Sequence, residues 1–124
     1  MAQVNKVSLP VKMNREQIIR FQLLVYTHLN DIHISSADFD CLTLLGLMGE
    51  AELIVFCAEL VDKGIFTSVQ SSRNALSRLQ DKHLIAKQGR NKKKIFLPVD
   101  MKIQCKGNIL LEYKCLALDD TLKG

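Results

Sequence analysis

Residues 67–98 read TSVQSSRNALSRLQDKHLIAKQGRNKKKIFLP, and no other stretch constrains the fold as much. At about 100° per residue, Val69, Ser72, Ala75, Leu76 and Leu79 fall on one side. Gln70, Asn74, Ser77, Arg78 and Asp81 fall opposite, with Ser71 and Arg73 at the margins. This period predicts a helix over 68–82, capped by Thr67 or Ser68, with its apolar stripe against earlier helices. Behind it, Leu84-Ile85 and Ile95-Phe96-Leu97 flank the turn Gly89-Arg90-Asn91, and Pro98 stops the second run. Two short apolar runs around such a turn predict a β-hairpin.

Charge is concentrated in the same place. From residue 63 to 106 there are eleven Lys or Arg against Asp81 and Asp100, a local charge of +9. Residues 1–62 carry four basic and eight acidic side chains, and residues 107–124 two and three, so the remainder is acidic. Lys87, Arg90, Lys92, Lys93 and Lys94 cluster about the hairpin turn. A basic patch on one motif of an otherwise acidic chain points to a polyanionic partner.

The remaining chain reads as a core for this motif. Val7, Leu9, Val11 and Met13 alternate with polar residues or Pro10, predicting an N-terminal edge strand. Asn14 opens a helix whose apolar residues Ile18, Phe21, Leu24, Val25 and Leu29 repeat at helical spacing, closed by Asn30-Asp31. Ser35 or Ser36 starts a second helix that runs to Gly46–Gly49 through Phe39, Leu42, Leu45 and Leu47. A third is predicted over 50–63, carrying Leu53, Ile54, Phe56, Cys57 and Leu60 and capped by Gly64. The GIFTS linker that follows is longer than the ~3–4 residues of the tightest helix-turn-helix turns. Met101, Ile103 and Cys105 alternate with Lys102, Gln104 and Lys106, Gly107-Asn108 suits a two-residue turn, and a second strand over 109–118 completes a C-terminal hairpin.

The outward residues of the predicted helix suit nucleic acid. Arginine grips guanine bidentately in the major groove, and Asn or Gln does the same for adenine. Gln70, Arg73, Asn74 and Arg78 fit those roles, while Ser71 and Ser77 suit phosphate oxygens. Asp81 on the same face would repel phosphate, which keeps the last turn clear of the backbone. Hairpin lysines and arginines pressed on the sugar-phosphate backbone would add sequence-independent, salt-sensitive affinity.

Polar helix, Leu, the apolar strand HLI, a basic turn and a second strand: over about residues 50–98 this pattern resembles winged-helix DNA-binding proteins. The resemblance implies an α+β fold, a winged helix-turn-helix of three to four helices plus a β-hairpin wing. The N-terminal strand and the C-terminal β-hairpin extension lie outside it. All 124 residues are then expected to form one domain, with an N-terminal arm over 1–13, helical core and wing over 14–98, and hairpin and tail over 99–124. The whole chain, with no motif to carry it, also resembles small winged-helix proteins of tailed bacteriophages, including the crAss-like group. Some virion ring and connector proteins there reuse such folds for protein contacts.

Other chemistries find little support. There is no Gly-rich phosphate loop with a lysine and no G-x-S-x-G, and His28, His33 and His83 are too scattered to converge. Cys41, Cys57, Cys105 and Cys115 form no C-x-x-C pair and read as free thiols of a reducing cytoplasm. No apolar run nears the ~20 residues of a membrane span. The expectation is a non-enzymatic, cofactor-free protein, cytoplasmic or part of a phage virion, with no membrane or evident small-molecule partner. It would bind double-stranded DNA through helix 68–82 and wing 87–94, in the manner of a transcriptional regulator, and act as a homo-oligomer or within a larger assembly. The alternative is a structural adaptor, a virion ring or connector protein, that adds strands to neighbouring chains.

Overall fold

The computed structural model describes residues 11–90 and 93–113. Four helices, α1 (Arg15–Leu29), α2 (Ser36–Met48), α3 (Leu53–Asp62) and α4 (Val69–Asp81), accompany a small antiparallel sheet that packs against α2 and α3. Its strands β1 (Glu50–Glu52), β2 (Ala86–Gln88) and β3 (Lys94–Phe96) lie in the order β1-β3-β2. The expected α+β class is therefore formed. Among the described residues, no helix is long and apolar enough to cross a membrane.

Local chemistry sets most helix ends. Asn14 and Gln17 close a reciprocal capping box on α1, while Ser35 and Ser68 accept from the backbone N–H of Asp38 and Ser71 to cap α2 and α4. The helices enclose one core, in which Ile19, Leu23, Leu42, Leu45, Phe56, Leu60, Leu79 and Leu84 are fully buried. Buried hydroxyls are satisfied within their own helices: Thr27 donates to the Leu23 carbonyl at 2.9 Å and Ser72 to the Ser68 carbonyl at 3.1 Å.

Several sequence expectations are corrected. The helix expected over 50–63 begins only at Leu53, and Glu50–Glu52 is a strand. Glu and Ala favour helix, but Gly49 at φ +82° breaks α2, and pairing of Glu50, Ala51 and Glu52 with Phe96, Ile95 and Lys94 outweighs propensity. Secondly, α1 buries Ile19, Gln22, Leu23 and Thr27, while Phe21 and Leu24 are partly exposed and Leu29 mostly so. This helix is apolar on more than one side, and packing against α2 decides which stripe goes inward. Gly46 permits that approach, because a Cβ there would lie 2.9 Å from Ile19 Cγ2.

The C-terminal hairpin is the third correction. Val99–Met101 is a 3-10 turn, and residues 102–113 belong to no ladder. Their backbone groups bond to α1 side chains instead. Gln22 donates to the Gln104 carbonyl and accepts from its N–H, both at 2.8 Å. The Arg15 guanidinium donates to the carbonyls of Cys105 (2.7 Å) and Gly107 (2.9 Å). Further on, Tyr113 meets Phe21 edge to face, with ring centroids 5.2 Å apart. At the other end, residues 11–13 form no strand. Residues 1–10 and 114–118, parts of the expected arm and hairpin, lie outside the described residues.

Candidate nucleic-acid interface

Helix α4 has the two faces its spacing predicts. Ser72, Ala75, Leu76 and Leu79 are buried; Gln70, Arg73, Asn74, Ser77, Arg78 and Asp81 are exposed. Val69, placed inward by the same wheel, is instead 45% exposed. It occupies the first turn, beyond the reach of the core. The linker before α4 is held to α3, since the N–H groups of Ile65 and Phe66 both reach the Leu60 carbonyl and their half-buried side chains join the core. The long GIFTS segment is thus a packed connection between α3 and α4.

Exposure alone does not leave every candidate free. Gln70 donates to Asn74 at 3.0 Å along the outer face, an i,i+4 pair that pre-sets both amides. Ser71 is half-buried and joined to the Ser68 hydroxyl at 2.9 Å, so its hydroxyl is already part of the cap. Arg78 lies 3.5 Å from the buried carboxylate of Asp38 on α2. Arg73 and Ser77 have no side-chain hydrogen bond or ion pair among the described residues.

The hairpin divides its cations between two sides. Lys87 pairs in register with Ile95, so strand alternation sends both to the face that packs toward the helices. Lys94 points the other way and meets Glu50 at 3.5 Å. Arg90 and Lys93 are exposed at the turn, where Gly89 adopts φ +103°. Asn91 and Lys92 lie outside the described residues. The Lys93 carbonyl accepts from the Leu53 N–H at 2.7 Å, which pins the hairpin to the first turn of α3.

These elements enclose an open cleft of about 450 Å³. Arg73, Ser77 and Gln80 of α4, Lys87 of β2 and Lys93 line it, together with Glu52, Leu53 and Ile54. Beneath them lie Leu76, Ile85 and Ile95. Helix and hairpin cations thus converge on one surface, whereas Gln70 and Asn74 lie along α4 outside the cleft and Lys94 lies across the sheet. Glu52, Ile54 and Gln80 escaped the sequence reading. Glu52 read as part of the start of a helix and Ile54 as part of that helix's apolar stripe, so neither was marked as a site residue.

Near this surface, the buried Cys57 thiol is pushed up by its burial, and the Arg73 guanidinium pulls it partly back. Deeper still, burial, with Asp38 and Cys57 adding, raises Cys41 to about 12. Both thiols are therefore poor nucleophiles. Compared with protein-family models, curated proteins and solved structures, the chain matches none of them.

Proposed function

We propose that this is a winged-helix protein that binds double-stranded DNA, without an enzymatic step. In this reading the exposed face of α4 enters the major groove, with Gln70, Arg73, Asn74 and Arg78 toward base edges and Ser77 toward phosphate. The hairpin, through Lys87, Arg90, Lys92 and Lys93, lies on the adjacent backbone. One observation carries it: Arg73, Lys87 and Lys93, from two separate elements, line a single cleft beside the polar face of a capped helix. The sequential α3–α4 pair followed by a hairpin, with β1 tying that hairpin back to the helices, supports the same layout. Regulation of transcription is the role such a binder would serve.

The test is a salt titration of duplex binding, read by fluorescence anisotropy. Each phosphate contact contributes about 0.9 to the slope of log K against log salt, so Lys92→Ala with Lys93→Ala should flatten it by about 1.8. No duplex binding at low salt would falsify this reading.

Exposed apolar side chains on α1 and its flanking segments, Val11, Leu24, Leu29 and Leu110, favour a second reading, assembly with other protein chains. A phage-particle adaptor is one form of it. Removal of residues 1–12 should then abolish assembly while the monomer stays folded; unchanged assembly counts against it.

A further inference from the structure

We propose that the cleft between α4, the start of α3 and the hairpin binds a small amphipathic carboxylate, and that this ligand competes with DNA. The competition rests on the DNA reading above; the binding does not.

At about 450 Å³ the cleft has the size of small-molecule sites, roughly 300–1,000 Å³. Its apolar lining is partly open: Ile54 is 64% exposed, and Leu53, packed against the core, is half-buried. The same cleft is lined by Arg73, Lys87 and Lys93, none ion-paired among the described residues. Glu52 is the one carboxylate among the described lining residues, so the cleft keeps a cationic excess that attracts an anion. An arginine fork takes a carboxylate through two parallel hydrogen bonds, and Ser77 stands on the same helix face one turn on. A phosphodiester would satisfy the cations but offers no flat apolar body to cover Ile54. A ligand with a carboxylate at one end and an aromatic or branched hydrocarbon at the other satisfies both the cations and the exposed apolar lining. Once bound, its carboxylate occupies Arg73, which the DNA reading assigns to base edges, and offsets one charge of the cleft that Lys87 and Lys93 share.

The experiment follows the backbone amides of Ile54, Ser77 and Ile85 in the isotope-labelled full chain, without DNA, by NMR. The probes are 2-naphthoate, the uncharged 2-naphthalenemethanol, and inorganic phosphate. Naphthoate should give saturable shifts at these amides, the alcohol about tenfold weaker binding, and phosphate no saturation below about 10 mM, well above the ~1 mM of weak complexes. Ile54→Glu, at an exposed position, should weaken naphthoate about tenfold while the spectrum stays dispersed. Absence of saturable shifts with naphthoate overturns the proposal. So does equal binding of the alcohol, which leaves the cations without a role, or of phosphate, which makes the cleft a backbone subsite. In a separate anisotropy arm, naphthoate should displace a bound duplex. Binding without displacement overturns the competition, and failure of the duplex to bind at all sinks the DNA reading while the amide shifts stand.

Discussion

The Arg78 guanidinium lies 3.5 Å from the Asp38 carboxylate, and the two side chains are 55% and 6% exposed. An arginine on the polar face of α4 is thereby tied to a buried carboxylate in the first turn of α2. Removing the arginine strands that carboxylate, which costs ~3–5 kcal/mol for a fully buried pair. Because Arg78 is more than half exposed, solvent screens the pair and a loss of about 1–2 kcal/mol is expected for Arg78→Ala. Arg73→Ala, which breaks no ion pair among the described residues, should stay within about 0.5 kcal/mol. Urea unfolding of both variants checks this; equal midpoints would show that the Asp38 contact contributes nothing to the fold.

The hairpin lysines should not behave alike. Lys94 is engaged with Glu50 on the far side of the sheet, whereas Lys93 lines the cleft. Lys93→Ala is expected to reduce the salt slope of duplex binding by about 0.9, and Lys94→Ala by clearly less. Equal reductions would mean that both faces of the hairpin contact DNA.

Gly46 is a packing glycine. Alanine raises helix propensity by about 1 kcal/mol, but its Cβ would meet Ile19 Cγ2 at 2.9 Å and Leu97 Cδ1 at 3.2 Å. Overpacking of this kind costs about 1–3 kcal/mol, so Gly46→Ala should lower Tm. A raised Tm in thermal unfolding would show that α1 and α2 separate easily.

Gln22 holds the C-terminal segment to α1 by two hydrogen bonds to Gln104. Gln22→Ala removes both and is expected to cost about 1–3 kcal/mol. Hydrogen exchange at the Gln104 amide should accelerate in the variant, while that of core amides such as Leu45 changes only by the global loss. An unchanged Gln104 rate would place the hold elsewhere, at Arg15 or the Phe21–Tyr113 contact.

Cys41 predicts a pH dependence. Its thiol titrates at about 12 in the fold against 9.0 for the free group. Below pH 9 the thiol is protonated in both states and costs nothing. From 9 up to about 12 the unfolded chain alone loses the proton, so stability falls across that window. The loss should reach about 1 kcal/mol by pH 10. Cys41→Ala is less stable at neutral pH through its cavity, but its stability should decline less steeply from pH 9 to 10. Parallel declines in the two proteins would rule out thiolate burial as the cause.

The sequence by itself determined the N-caps of α1, α2 and α4, the inward and outward faces of α4 from its second turn on, and the basic hairpin behind it. Each of these rests on interactions within a few residues: Asn14 with Gln17, Ser68 with Ser71, and a 3.6-residue stripe ending at Leu79. Only the tertiary structure decided the rest. Glu50–Glu52 became a strand because β3, distant along the chain, offered it hydrogen bonds. The inward stripe of α1 was chosen by the close approach that Gly46 allows, and residues 102–113 lie outside any hairpin because Gln22 and Arg15 supply partners for their backbone. Among the candidate site residues, polarity and spacing marked Arg73, Ser77, Lys87 and Lys93 but could not show that they share a cleft. Nor could they show that Arg78 and Lys94 are held by carboxylates on other elements. Local propensity is written in neighbouring residues; which charges meet across the fold depends on contacts that form only when distant segments pack.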